Sequence, residues 1–284
     1  MSLVRVKDIL RMADEAKTSV IAYICIDYNM IYSVIKTAEK LNTPALCMLL
    51  PEHVEQYNTI DFESFAVNVK NLAKTVKVPI GLHLDHSFDY KSIVLNIKNG
   101  FPSVMIDGSE LSFEDNICLT KKVVDIAHCF DVDVEGEVGH VASSEISDEE
   151  MEQLFTDPSL AAEFCERTGV DSLAISIGNA HGVYRKEPRL DISRLEEINA
   201  ATDTPLVLHG GSGIPDEQLK EAFRKGINKF NVGTEFLGHY LEALSQFTNE
   251  FGDAGDPLKM LDIPMYVQEK LQDYLVKKFQ LCKF

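Results

Sequence analysis

Residues 205–235, PLVLHGGSGIPDEQLKEAFRKGINKFNVGTE, decide the fold. PLVLH at 205–209 is short and apolar, and it reads as a buried strand. Glycine-rich turn chemistry follows it, then helical periodicity over 215–225, then a second buried run, NKFNVG at 228–233, which opens another helix at Thr234. Such a unit joins two parallel strands through a crossover helix. Working back toward the N-terminus, the same alternation recurs. Strand-like runs lie at 19–26, 44–50, 78–85, 103–107, 132–138 and 172–178, and helical segments at 30–42, 61–76, 89–99, 113–130, 158–168 and 190–200, with a last one at 234–251. Eight near-continuous apolar strands, each followed by a helix, predict a single-domain α/β TIM (β/α)8 barrel over 1–284 with a C-terminal helical extension. The alternative is an open doubly wound sheet, and the lack of GxGxxG after the first strand counts against it. Gly100, Gly169 and Gly226 stand at helix-to-strand joints, where C-cap glycines belong.

Composition narrows the function classes. The chain has 284 residues, 45% hydrophobic and 25% charged, an ordinary balance for a globular domain. No stretch approaches the roughly 20 apolar residues of a membrane span. The opening segment MSLVRVKDILRMADEAK reads as an amphipathic helix, not a signal peptide, so a cytoplasmic location is expected. A net charge of −18 argues against nucleic acid or an anionic membrane as partner. An anionic substrate would then need local positive potential, from a metal ion or from backbone N–H groups. The six cysteines form no CxxC pair and are expected to be reduced, mostly buried thiols.

Polar residues sort onto one end of this scaffold. Asp85 and His86 end strand 3, Asp107 ends strand 4, Glu135 and Glu137 end strand 5, His181 follows strand 6, His209 ends strand 7, and Asn231 and Thr234 close strand 8. Barrel enzymes build their sites at the C-terminal ends of the strands. Each histidine alone is better explained as a satisfied structural residue. Jointly, His86, His181 and His209 form a plausible Zn2+ site with a position left for substrate. His53, His83, His128, His140 and His239 are assigned structural roles, with His83 a possible support for the site. Asp85, beside a proposed ligand, is placed to act as a general acid/base, or alternatively to orient an imidazole. Asp107, Glu135 and Glu137 either hold a second or displaced metal position or hydrogen-bond the histidines. In barrels, the loops after strands 7 and 8 often form a phosphate site. Gly210 and Gly211 permit close backbone approach, and Ser212 and Thr234 offer hydroxyls, which points to a phosphorylated substrate.

The stretches LHLDH (82–86), SVMIDGS (103–109), VEGEVG (134–139), TGVDSLAISIGNAHGVY (168–184), PLVLHGGSGIP (205–215) and GINKFNVGTE (226–235) resemble the class II zinc-dependent ketose-bisphosphate aldolases. Their fructose- and tagatose-bisphosphate members are the best known. The resemblance runs from about residue 78 to 236 in matching order and spacing. It implies reversible cleavage of a ketose 1,6-bisphosphate to dihydroxyacetone phosphate and an aldehyde through a metal-stabilised ene-diolate. It further implies His86, His181 and His209 as zinc ligands, Asp85 as acid/base on the C4 hydroxyl, and Asp107 and Glu137 at an alternative metal position. Gly182, Gly210, Gly211, Ser212, Asn231, Val232, Gly233 and Thr234 would contact dihydroxyacetone phosphate, with a monovalent cation (Na+ or K+) beside its phosphate. A glutamate on the loop after strand 5, Glu145 by counting, would protonate C3. A homodimer or homotetramer is implied, and the helix after strand 8 and segment 257–279 could pack between subunits.

Departures from the family pattern gather on the aldehyde half. Ala142 and Ser143 replace a glycine pair, Ser87 stands where glycine is common, and CIDYN replaces an asparagine-containing motif after strand 1, with Asp27 or Asn29 as substitutes. LLPEHV lacks a serine often found near the substrate. Distal-phosphate partners are not evident; Arg185 and Arg189 qualify by location only. Two other function classes stay open: a zinc barrel hydrolase or isomerase acting on a phosphorylated sugar, and a non-catalytic barrel that only binds metal and ligand.

Overall fold

Every predicted apolar run becomes a strand. A computed structural model describes residues 3–141, 154–182, 184, 187–251 and 257–284. The strands are β1 (Val20–Ile24), β2 (Ala45–Leu49), β3 (Ile80–Ser87), β4 (Ser103–Ile106), β5 (Asp133–Val138), β6 (Ser172–Ile175), β7 (Leu206–Leu208) and β8 (Ile227–Val232). All pair in parallel in sequence order, and β8 returns to β1, closing a TIM barrel and excluding the open sheet.

Helices form the outer layer. After the leading α1 (Val6–Glu15) come α2 (Tyr28–Leu41), α3 (Pro51–Glu55), α4 (Phe62–Ala73), α5 (Tyr90–Lys98) and α6 (Phe113–His128). The second half supplies α7 (Pro158–Thr168), α8 (Ile192–Ala201), α9 (Asp216–Arg224), α10 (Thr234–Phe251) and α11 (Ile263–Phe279). Asp27, Asp61, Asp89, Ser112, Asp157 and Asp191 each accept a backbone N–H at a helix start, which fixes where these helices begin. Gly169 caps α7 in the left-handed region at φ 74°, as its position at the joint predicts.

Period two divides each strand between two environments. Leu82 and Leu84, Val104 and Ile106, Leu173 and Ile175, Leu206 and Leu208, and Phe230 and Val232 join the apolar layer under the helices. Their alternates (His83, Asp85, Met105, Asp107, Glu135, Glu137, Ala174, Val207, His209, Lys229 and Asn231) face the barrel interior. At the N-terminal end the interior is apolar. There α1 packs Val6, Ile9 and Leu10 against Val20, Ala22, Leu46 and Met48. Arg5 and Lys7 bond Asp133 and tie α1 to the foot of β5. Polar groups occupy the other end.

The extension 257–284 begins with a 3-10 helix, Pro257–Asp262, and continues as α11, which packs on α2 and α10 of its own chain. All six cysteines are free thiols; Cys118 and Cys129 are exposed and the others buried. No helix among the described residues is long and apolar enough to cross a membrane.

Candidate active site

Asp85 and His86 are consecutive, so in a regular strand they would face opposite sides of the sheet. The register of β3 on β4 slips here: Leu84 pairs with Val104, yet Ser87 pairs with Ile106, leaving one extra residue on β3. His86 takes φ 35°, in the left-handed region, and the bulge turns its imidazole into the barrel mouth beside Asp85.

Three ring systems meet there. Ligand atoms of His86, His181 and His209 lie within 4.8 Å of one another. The ring centroids are 5.0 Å apart for His86 and His181 and 4.6 Å for His86 and His209. Gly210 makes this convergence possible: it sits at φ 61°, and a Cβ there would run into the carbonyl oxygen of Ala180, next to His181. The Tyr184 hydroxyl accepts from the Ala180 N–H at 2.7 Å and donates to the Gly210 carbonyl at 2.9 Å, locking the two loops together.

Hydrogen bonds assign the protons. Nε2 of His209 donates to Glu135 at 2.8 Å, and burial lowers the His209 pKa and keeps the ring neutral, so its Nδ1 carries a lone pair. That Nδ1 lies 2.8 Å from Nε2 of His86, which must therefore donate. Nδ1 of His86 also donates, to Asp107 at 2.9 Å. His86 is thus an imidazolium. Burial opposes its charge, but Asp85, the hydrogen bond to Asp107 and Glu137 together raise its pKa to about 9. His181 is pushed down to about 3 by burial and by its two histidine neighbours, so it offers a neutral imidazole. A shared proton joins lone pairs that a divalent cation could join instead. This donor set, backed by carboxylates on the far ring nitrogens, fits zinc.

Below the histidines lies a buried ionic layer. Lys229 Nζ bonds both oxygens of Glu135, at 3.0 and 2.8 Å, and both side chains are fully buried. Burial alone would raise the Glu135 pKa; the Lys229 charge and the His209 hydrogen bond instead hold it well below the carboxylate range. Asp85 is likewise buried, which alone would raise its pKa; the positive charges of His86 and Lys229 instead hold it below the usual carboxylate value and keep it ionised. Asn231 donates its amide to both Asp85 oxygens, at 3.2 and 3.3 Å, and leaves its own Oδ1 without a partner among the described residues. Glu137 is pushed up to about 8 by burial and the nearby Asp107; it accepts from Val141 N–H and forms, with His86 and Asp107, a second group able to hold a metal. Glu135 and Asp107 each accept from a histidine, and Asp107 and Glu137, with His86, form a group that could hold a displaced ion.

The glycine-rich loops adjoin this centre. A Cβ on Gly211 would enter the Phe230 ring, and one on Gly233 would meet Ile24, so both loops lie close against the strands beneath. Ser212 Oγ accepts from the Glu235 N–H in the first turn of α10, bringing the strand 7 loop to that helix N-terminus. Thr234 is exposed there, Val232 is buried in the apolar layer, and Gly182 adopts φ 94° beside His181. Glu145, Ala142, Ser143 and Arg185 lie outside the described residues. Asp27 caps α2 and accepts from Tyr240, and Asn29 accepts from Gln268, so both have structural partners. Arg189 is exposed.

Two residues escaped the sequence reading. Lys229 sits two positions before Asn231 on a fully buried strand, a spacing that sends it inward toward Glu135. His140, assigned a structural role, bonds Ser109 at 2.9 Å and lines the cavity outside the histidines.

Comparison with known proteins identifies the family and the fold. The family model described as fructose-bisphosphate aldolase class-II matches residues 4–284. The crystal structure of the YdjI aldolase from Escherichia coli K12 is 32% identical, with a TM-score of 0.86 over 99% of this chain and 97% of that one. A putative fructose-1,6-biphosphate aldolase from Coccidioides immitis is 26% identical, with a TM-score of 0.85 over 98% and 96% of the two chains. Fructose-bisphosphate aldolase from Campylobacter jejuni, 22% identical, shares the fold with a TM-score of 0.81 over 99% and 95%.

Proposed function

The chain belongs to the class II fructose-bisphosphate aldolase family, and from that premise we propose that it is a zinc-dependent aldolase cleaving a fructose- or tagatose-type ketose phosphate between C3 and C4. The products are dihydroxyacetone phosphate and an aldehyde. The observation that carries this reading is the meeting of His86, His181, His209 and ionised Asp85 at the C-terminal mouth of the barrel.

His86, His181 and His209 would hold the ion, with Asp107 and Glu137 as an alternative position. Bound there, a divalent metal supplies Lewis-acid stabilisation of charge developing on the substrate oxygens. Asp85, steadied by the Asn231 amide, takes the C4 hydroxyl proton as the C3–C4 bond breaks. The bond's electron pair remains on the three-carbon half, and the C4 oxygen becomes the aldehyde carbonyl. Asp85 returns the proton in condensation. Glu145 is our candidate for moving the C3 proton. Backbone N–H groups at Gly210, Gly211, Gly233 and Thr234, with the Ser212 hydroxyl, would cradle the C1 phosphate, and a monovalent cation beside it remains part of the proposal. So does a homodimer or homotetramer, which light scattering tests.

The functional test is loss of one prochiral C3 proton of dihydroxyacetone phosphate to deuterated solvent by the metal-loaded protein. Exchange abolished by a chelator supports the aldolase. Binding without exchange would instead indicate a non-catalytic barrel, and neither binding nor exchange would leave a hydrolase or isomerase.

A further inference from the structure

Outside the histidines the barrel mouth opens into a cavity of about 640 Å3 that reaches from His86 and His181 to α3 and the start of α5. If the three-carbon half occupies the strand 7 and 8 loops, this cavity receives the aldehyde half. Its chemistry departs from what a phosphate needs. Glu52, Glu55, Asp89 and Glu110 line it, all exposed toward its space. Among the described residues its lining contains no Lys or Arg; the basic groups are His86 and His181 of the metal site and His140, which bonds Ser109 and stands 4.0 Å from Glu110.

The helix starts at the cavity are also closed to an anion. Asp89 places its own carboxylate on the Ser92 N–H at the head of α5, at 2.9 Å. The first residue of α3 is Pro51, which has no N–H, and Glu52 follows it in the same turn. A phosphate dianion entering here would meet carboxylates in both places where backbone donors could have received it.

Ser87 supplies an independent sign of a polar, uncharged ligand. It is 1% exposed, it lines the cavity, and its hydroxyl has no hydrogen-bond partner among the described residues. A buried hydroxyl left unpaired loses its hydration without recompense, so such a group beside a cavity marks where a ligand hydroxyl or carbonyl can bond. Its backbone is fixed, since its carbonyl accepts the Asp107 N–H at 2.8 Å.

We propose that this cavity binds the aldehyde half as an uncharged polyhydroxy chain, held by Ser87 and the glutamate carboxylates, and that it disfavours an aldehyde bearing a second phosphate. The inference rests on the aldolase reading above and narrows its substrate to a ketose phosphorylated at C1 alone. In condensation a base takes the C3 proton, the electron pair left on C3 forms the C3–C4 bond, and the aldehyde oxygen takes a proton from protonated Asp85, while the base returns its proton to solvent and Asp85 regains one from solvent. No further reactant is needed.

The test is condensation of dihydroxyacetone phosphate with D-glyceraldehyde and with D-glyceraldehyde 3-phosphate by the zinc-loaded enzyme, with C3 proton exchange measured in the same preparations. The unphosphorylated aldehyde should be favoured at least about tenfold in kcat/KM at low salt, with the gap narrowing as salt screens the carboxylates. Exchange accompanied by preference for the phosphorylated aldehyde overturns this inference and leaves the aldolase reading standing. Absence of exchange overturns both. A gap that salt does not narrow removes the electrostatic argument. Glu52→Gln with Glu55→Gln should raise the phosphorylated-to-unphosphorylated ratio, and an unchanged ratio counts against the carboxylates. Ser87→Ala should raise KM for the aldehyde more than KM for dihydroxyacetone phosphate; equal changes assign Ser87 a structural role only.

Discussion

Nε2 of His86 and Nδ1 of His209 face each other at 2.8 Å across 123 residues of sequence, joined by one proton. In the proposed zinc site both nitrogens would act as lone-pair donors, so a metal ion would have to displace that proton. Calorimetric titration of the metal-free protein with Zn2+ near pH 7, in buffers of different ionisation enthalpy, should report release of about one proton from this pair. Zinc binding with no proton release would show that these two nitrogens are not ligands together.

Glu135 governs which nitrogen of His209 is available. By accepting from Nε2 it leaves Nδ1 turned toward His86. In Glu135→Gln the amide can present an N–H to Nε2 and favour the other tautomer. Zinc affinity, measured by competition with a chromophoric chelator, should fall by about 10–100-fold. Unaltered affinity would detach Glu135 from the metal site.

Lys229 and Glu135 form an ion pair in the barrel interior, with the lysine bonded to both carboxylate oxygens. Lys229→Met strands a buried carboxylate and should cost about 3–5 kcal/mol in denaturant unfolding of the metal-free protein. Adding Glu135→Gln removes the stranded charge and should recover part of that loss, so the two changes will not be additive. Additive losses would mean that the pair does not act as a unit.

These relationships were unevenly legible. Strand positions were plain because both faces of a barrel strand are buried, giving continuous apolar runs bounded by caps and glycines. The three histidines were legible from their places at strand ends. What aims His86 was not: alternation alone would turn it away from Asp85, and the bulge depends on the pairing of Ser87 with Ile106, a tertiary fact. Lys229 was hidden for a related reason, since a lysine in an apolar strand gains meaning only when its counter-charge on β5 is located. Segment 257–279, read as a candidate for packing between subunits, covers α2 and α10 of its own chain, where Val267, Leu271 and Leu275 are buried.

In the proposed mechanism Asp85 moves a proton without binding the metal. It adjoins His86 in sequence, but its bonds run to Asn231. Asp85→Ala should keep zinc, measured by metal content after dialysis, and lose about 10²–10⁴-fold in carbon–carbon cleavage. Zinc lost together with activity would give Asp85 a structural role in the metal site.

Gly210 sets the distance between the loops carrying His181 and His209. Its φ of 61° is unfavourable for any residue with a Cβ, and that Cβ would strike the Ala180 carbonyl. Relief requires the two loops to part, which also strains the Tyr184 hydroxyl bridging Ala180 and Gly210. Gly210→Ala should therefore weaken zinc binding as well as cost about 1–3 kcal/mol of stability. Tyr184→Phe, which removes the bridge without adding a clash, should produce a smaller loss in the same direction. If Gly210→Ala lowers stability yet binds zinc as tightly as the parent, the loops hold their histidines independently of this contact.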